Sequence, residues 1–381
     1  MSQVMTGLDR VASGDISAFR GLRLGLLAHP ASVDGRLRHA VGIFRRRFSR
    51  RLRSLFAPQH GWFGEAQDNM IEAVTPDRIH SLYGRVREPT PEMLNGIDAV
   101  VVDLQDVGTR VYTFTQTLYL VTRACARAGK KVIVLDRPNP IGGAVEGPGL
   151  DPAYASFVGL TDIPLRHGMT MGEMARRYQK TFGSDVVVVG MKGWQPRMYF
   201  EETGLPWVMP SPNMPTVETA VVYPGTVLLE GTSASEGRGT VRPFEIIGAP
   251  GVPPEKFARE LLSYRLRGVV FRPVSFQPTF NKHAGRICGG VQIHVVDRKK
   301  FHTTLTGAAI LKALRRLDPG FRWKKPPYEY ETKKWPIDIL SGSGRLRKMI
   351  DADRPLREFK EWFESDARRF QARRRSEESG E

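Results

Sequence analysis

The sequence is poor in the residues that would make its chemistry obvious. Two cysteines in 381 residues, Cys125 and Cys288, make neither a disulfide framework nor a zinc cluster. The eight histidines never fall at HxxxH spacing, and no Asp-rich loop resembles a calcium site, so neither a metal nor a cofactor is implied. No run of eighteen apolar residues exists, which excludes a membrane-spanning helix of the usual kind. The start, MSQVMTGLDRVASGD, has no basic stretch followed by an apolar one. The expectation is therefore a protein without a secretory signal, in the cytoplasm, although a start site placed too far downstream would hide one. Phosphate-cradling glycines are missing too. The first apolar run, Leu22–Ala28, ends in His29-Pro30-Ala31-Ser32 rather than Gly-x-Gly-x-x-Gly, and no Walker A sequence occurs, which disfavours a nucleotide enzyme.

Acids are also scarce beside bases, at 40 against 57 Lys+Arg, for a net charge of +17. The excess gathers at Arg45–Arg47 with Arg50, Arg51 and Arg53, at Lys324-Lys325, and at Arg373–Arg375. Few aromatics interleave with these clusters, so a solvated surface or steering of an anionic substrate fits better than a nucleic-acid partner.

What is present is a strand–helix rhythm. Ala99–Val102 is an apolar run ending in acids at Asp103 and Asp106, and Val132–Leu135 is another, ending in Asp136-Arg137-Pro138-Asn139-Pro140. Between them Leu118, Val121, Ala124 and Cys125 follow helical spacing. Two short, fully apolar strands joined by a helix predict a βαβ unit in a parallel sheet covered on both faces. Such sheets place ligands at the carboxyl ends of their strands. Leu52–Ala57 and Asp185–Val189 read as further strands, Arg36–Phe48 as a helix and Gln67–Arg87 as a long polar loop. Thr170 with Glu173 is a capping-box pattern opening another helix.

After the Pro-rich stretch PWVMPSPNMP the pattern becomes helix (255–266), strand (269–276), strand (290–296) and helix (305–317). At 381 residues the chain exceeds one typical core. The fold class expected is α/β: a Rossmann-like doubly wound parallel sheet over residues 1–204. A second, smaller α+β domain over 205–381 would end in a charged C-terminal helix.

The polar residues gather in loops: Gln59-His60, Glu65, Asp103, Asp106, Arg110, Asp136, Asn139, His167, Asn213, Glu230, Glu236 and Arg238. Many carboxylates, a few histidines and no candidate nucleophilic cysteine or GxSxG serine suit glycoside hydrolysis, where two carboxyls act as acid and as base or nucleophile. Each acid taken singly reads more readily as a cap or a surface charge than as a catalyst.

These clusters carry a family resemblance. LFAPQHGWFG, DLQDVGTRVYTF, LDRPNPIGG, LRHGMTMGEMA, PSPNMP, YPGTVLLEGTSASEGRGTVRPFE and GAPG occur in this order. Together they resemble the exo-β-N-acetylmuramidase (NamZ-type) family. The resemblance implies a Rossmann-like domain with a smaller auxiliary domain, an active cleft between them, and release of terminal N-acetylmuramic acid (MurNAc) from the non-reducing end of peptidoglycan fragments. The expected partner is thus a small glycan or muropeptide.

Many members carry Pro-Glu-His-Gly where this chain has Pro58-Gln59-His60-Gly61. A glutamine cannot exchange a proton at physiological pH. The catalytic candidates are therefore Glu65, Asp106, Glu230, Glu236 and His60. Arg110 and Arg238 are expected to meet the lactyl carboxylate of MurNAc, because guanidinium engages carboxylate bidentately. Gln59, Tyr112, Asp136, Asn139, His167 and Asn213 complete the expected substrate-binding set. A non-catalytic muropeptide or sugar binder of the same fold is the alternative that Gln59 leaves open.

Overall fold

The computed structural model describes residues 3–61, 63–64 and 79–379, and the chain divides into two compact units. The first comprises residues 1–108, 112–143 and 168–217. The second takes 109–111, 144–167 and 218–381.

In the first unit the elements are α1 (Gly7–Ala12), β1 (Leu24–Leu27), α2 (Ala40–Phe48), β2 (Leu52–Ala57), β3 (Ile79–Ser81), β4 (Ala99–Val102), α3 (Phe114–Arg127), β5 (Lys131–Leu135), α4 (Met171–Phe182) and β6 (Val186–Val189). The six strands form one sheet in the order β3-β2-β1-β4-β5-β6, every neighbouring pair parallel. This is the doubly wound arrangement expected of short, wholly apolar runs: β1 and β4 are buried at every position. The strand order reverses between β1 and β4, which opens a crevice at their carboxyl ends. Beneath one face Phe19, Phe44 and Phe48 pack on one another with ring centroids 5.0–5.8 Å apart, joined by Leu24, Leu26, Val101 and Ile133.

Two expectations are corrected here. The stretch read as one polar loop, Gln67–Arg87, contains β3, paired in parallel with β2; its residues 67–78, and Glu65 just before it, lie outside the described part. The first helix also starts later than Arg36. The Asp34 carboxylate accepts from the backbone N–H groups of Arg36 and Arg38 at 3.0 and 2.8 Å, which winds that stretch into a turn, and His39 caps α2.

Helix α4 follows the capping box closely. Thr170 Oγ1 accepts from Glu173 N at 3.2 Å, and the Glu173 carboxylate accepts from Thr170 N at 2.8 Å. The helix ends on Gly183 in the left-handed region, at φ 62°.

The second unit holds α5 (Val217–Thr226, all but its first residue), β7 (Ile246–Ala249), α6 (Pro254–Ser263), β8 (Val269–Phe276), β9 (Cys288–Val295), α7 (Thr303–Leu317), α8 (Pro336–Ser341), α9 (Arg345–Asp351) and α10 (Leu356–Ser379). Its antiparallel sheet has the order β7-β9-β8, with β8 and β9 paired along eight residues. α7 is apolar along most of its length and buries Ala308, Ala309, Ile310, Leu311, Ala313 and Leu314. It meets α5 with no side chain between the backbones: a Cβ on Gly225 would stand 2.0 Å from Thr303 O, and one on Gly307 2.3 Å from Gly225 O. Among the described residues no helix is long and apolar enough to cross a membrane.

Candidate active site

Four strands of the first unit deliver buried polar residues to one edge of its sheet. β1 leads to His29, β2 to Gln59 and His60, β4 to Asp103, Gln105 and Asp106, and β5 to Asp136, Arg137 and Asn139, all at most 9% exposed.

Most of these side chains are occupied in holding the edge together. Arg137 clamps Asp103 with two hydrogen bonds, at 2.6 and 2.9 Å. Asp136 caps α4: its carboxylate accepts from Gly172 N at 2.8 Å and from Thr170 Oγ1 at 3.1 Å. Burial pushes that carboxyl up to about 6. Asn139 donates to Met169 O at 3.0 Å and accepts from Ile141 N at 3.1 Å. His29 accepts from Gln105 N at 3.0 Å through Nε2. Burial, with the nearby Arg137 charge, holds it well below the usual histidine range and thus as neutral imidazole.

Gln59 is fixed from both ends of its amide. It donates to Tyr83 OH at 3.1 Å and accepts from Thr113 Oγ1 at 2.5 Å. His60 follows in the left-handed region, φ 74°, a conformation that costs a non-glycine residue energy and recurs at functional sites.

Asp106 is placed differently from its neighbours. One carboxylate oxygen accepts from Gly108 N at 2.6 Å. Gly108 makes this turn possible: it sits at φ 81°, and a Cβ there would stand 2.5 Å from Asn139 Oδ1. Tyr112 lies within reach of the Asp106 charge and bonds to Ser211. Burial first, then that charge, raises its phenol far above the usual value. Asn213 is buried in the turn closed by Met214 N to Ser211 O, 3.0 Å.

The remaining expected site residues lie in the second unit. Glu230, Glu236 and Arg238 come together, as their spacing suggested, but in a closed ion cluster. Arg238 donates to Glu230 at 2.6 Å and lies 3.3 Å from Glu236. Tyr328 OH donates to Glu230 at 2.6 Å, and Lys282 donates to Glu236 at 2.7 Å. Burial pushes Glu230 up, but the Arg238 charge and the Tyr328 hydrogen bond outweigh it and hold the carboxyl below its ordinary value. Arg238 is thus spent on two carboxylates of its own chain.

Arg110 differs again from its expected role. Its guanidinium is fully buried and donates to the carbonyls of Pro148, Ile163 and Leu340 at 2.8–3.0 Å, and burial brings it down to about 10. His167 is buried beside Arg166, whose guanidinium pairs with Glu146. Glu146 also meets His302 at 3.0 Å. Burial opposes its ionisation, yet these two partners bring it down to about 2.

Thr113, which fixes Gln59, follows Tyr112 in the motif DLQDVGTRVYTF, but nothing in that motif marks it as a partner of Gln59. Tyr83, Lys282 and Tyr328 lie outside every motif of the sequence analysis; each joins its cluster from a distant point of the chain, and no local spacing marks it.

Two family models match the chain end to end: Exo-beta-N-acetylmuramidase NamZ, N-terminal, over residues 24–218, and its C-terminal counterpart over 221–377. The chain belongs to the NamZ family. Among curated NamZ relatives, the peptidoglycan beta-N-acetylmuramidase NamZ of Bacillus subtilis (strain 168) is 44% identical over 357 residues, which cover 92% of this chain and 84% of that protein. Two crystal structures of DUF1343 family proteins from Bacteroides fragilis share the NamZ fold seen here. One has TM-score 0.87 at 31% identity and the other 0.77 at 26%, each covering 98% of both chains.

Proposed function

We propose that this chain is a glycosidase that releases N-acetylmuramic acid from the non-reducing end of peptidoglycan fragments. The observation that carries the reading is its 44% identity, over 92% of its length, to a peptidoglycan beta-N-acetylmuramidase. The buried polar edge of the first unit supports it, because it offers what cleavage of a glycosidic bond requires: a carboxyl group able to exchange a proton.

Asp106 takes that role. Asp103 is clamped by Arg137, Asp136 caps α4 and Gln59 has no proton to exchange, so the reading takes Asp106, whose carboxylate accepts from Gly108 N, as the acting carboxyl at this edge. The 2.6 Å bond from Gly108 N orients the carboxyl that acts on the leaving group or on water. Glu65 is the second carboxyl to test, since it follows Gln59 by six positions in the chain. Arg238 and Tyr328 hold Glu230 ionised, and Glu236 is paired with Arg238 and Lys282, which suits structure better than proton transfer. Arg110 and Arg238 are already engaged, so the reading rests on neither for the lactyl carboxylate.

The test is turnover of paired chromogenic glycosides of MurNAc and N-acetylglucosamine by the purified protein. Hydrolysis of the MurNAc glycoside, much faster than of its partner, supports the reading. Binding of MurNAc without turnover of the glycoside or of peptidoglycan fragments would favour the binding-protein alternative instead.

A further inference from the structure

The segment from Ile16 to Gly64 contains ten arginines and one acid, Asp34, and the chain has no lysine before Lys130. Some of these arginines have structural work. Arg23 pairs with Asp98 at 2.7 Å and Arg38 with Asp34 at 2.6 Å. Arg47 donates to Ala12 O. Arg51 donates to Phe19 O at 2.8 Å while lying over the Phe48 ring. Arg45, Arg46, Arg50 and Arg53 are exposed, and none is among the residues that pair with a described carboxylate.

Their position follows from topology. α2 leaves the carboxyl end of β1 and returns against the strand direction, so its last turn and the residues leading into β2 lie at the amino edge of the sheet. Gln59 and His60 lie at the other end of β2, roughly 20 Å away at 3.3 Å per residue. One sheet thus carries buried polar chemistry at one edge and, at the other, positive charge that no described carboxylate pairs.

Helix polarity explains only part of this. A cation in the last turn of α2 is favoured by the macrodipole, but Arg50 and Arg53 lie beyond the helix. Six guanidinium groups within nine residues repel one another unless anions approach, and arginine is suited to bidentate contact with carboxylates. Aromatic platforms for stacking bases are missing, since Phe48 is buried. So are exposed large apolar side chains: Leu37 and Phe63, the nearest in sequence, fall outside Arg45–Arg53, which disfavours insertion into a bilayer.

We propose that the Arg45–Arg53 face is an exosite for the carboxylate-bearing glycan polymer, holding the strand at the amino edge while the carboxyl edge acts on a chain end. The inference rests on the muramidase reading for its choice of polymer.

The test compares wild type with the quadruple variant Arg45→Ser/Arg46→Ser/Arg50→Ser/Arg53→Ser in co-sedimentation with purified insoluble peptidoglycan at low and high salt. Wild type should be retained at low salt and released at high salt, and the variant retained at least about tenfold more weakly. Both should hydrolyse the small chromogenic MurNAc glycoside within about twofold of each other, because a contact remote from the cleaved bond matters only for the polymer. The corresponding quadruple lysine variant should keep much of the retention, which separates charge from folding.

Equal retention of wild type and serine variant overturns the exosite, as does an equal fall in chromogenic turnover. Tighter binding of wild type to duplex DNA or to anionic vesicles than to peptidoglycan overturns the choice of partner. Salt-sensitive retention that the variant loses, in a protein that hydrolyses no MurNAc glycoside, upholds the exosite while the activity reading fails.

Discussion

Two buried, acid-rich clusters in this protein look alike in sequence and differ in what their acids face. In the second unit Glu230 and Glu236 meet Arg238, Lys282 and Tyr328, so every negative charge is answered within the cluster. At the carboxyl edge of the first unit Asp103 is answered by Arg137, while Asp106 accepts from the backbone N–H of Gly108. Burial is the same in both places. The partners, more than burial, decide which acid is a strut.

The largest effect that would sharpen this contrast is on catalysis. Asp106→Asn keeps the shape and the acceptor for Gly108 N but removes the exchangeable proton. Turnover of the MurNAc glycoside should fall about 10²–10⁴-fold, with the melting temperature little changed. Near wild-type turnover would place the acid elsewhere, and Glu65→Gln is then the variant to assay.

Arg238→Ala should do the opposite, acting on folding first. Removing the cation strands two buried carboxylates, at a cost of about 3–5 kcal/mol in denaturant unfolding. Selective loss of MurNAc recognition in a protein of unchanged stability would break the comparison.

The pH dependence of stability separates the units by sign. Asp136 has its carboxyl raised to about 6 in the folded first unit, so the native state binds the extra proton between about pH 4 and 6. Its contribution is therefore complete below pH 4 and erodes as pH rises through 6. Glu146, lowered to about 2 in the second unit, contributes fully above about 4.5 and loses that contribution as pH falls toward 2. Each is worth about 3 kcal/mol at most. In thermal melts the gap between wild type and Asp136→Asn should shrink as pH rises from 4 to 6. The gap to Glu146→Gln should widen as pH rises from 2 to 4.5.

The smallest expected change is in Gln59→Glu. The new carboxylate can still accept from Thr113 and can accept a hydrogen bond from Tyr83 OH in place of donating one to it, so stability should move by about 1 kcal/mol or less. A new ionisation in the pH–rate profile with raised turnover would make Gln59 the vacated seat of an acid. An unchanged profile leaves the chemistry with Asp106.

Much of this was legible from sequence where the signal is local. β1, β2, β4, β5 and β6 announce themselves as short apolar runs, and the α4 cap is written in Thr170 and Glu173. β3 was hidden because three half-buried residues in a polar stretch carry no period. β7, four residues ending in Gly-Ala, is mostly buried but too short to show a period.

The site was legible as a set of loops but not as roles. Asp106 and Asp136 both end strands. Only the Gly172 N–H, thirty-six positions beyond Asp136, makes one of them a cap. Arg110 reads as an anion binder until Pro148, Ile163 and Leu340 surround it with carbonyls from three separate stretches.

The backbone contact between α5 and α7 bears on how the resemblance itself should be weighed. Gly225 stands in the stretch YPGTVLLEGT, one of those by which this chain is matched to its relatives. Its side-chain position is filled by Thr303 O and that of Gly307 by Gly225 O, so any larger residue at either must push two helices apart. Neither position can drift alone. That part of the signature is therefore a steric record of how two helices cross, and a descendant that had lost all activity would keep it as faithfully as an active enzyme.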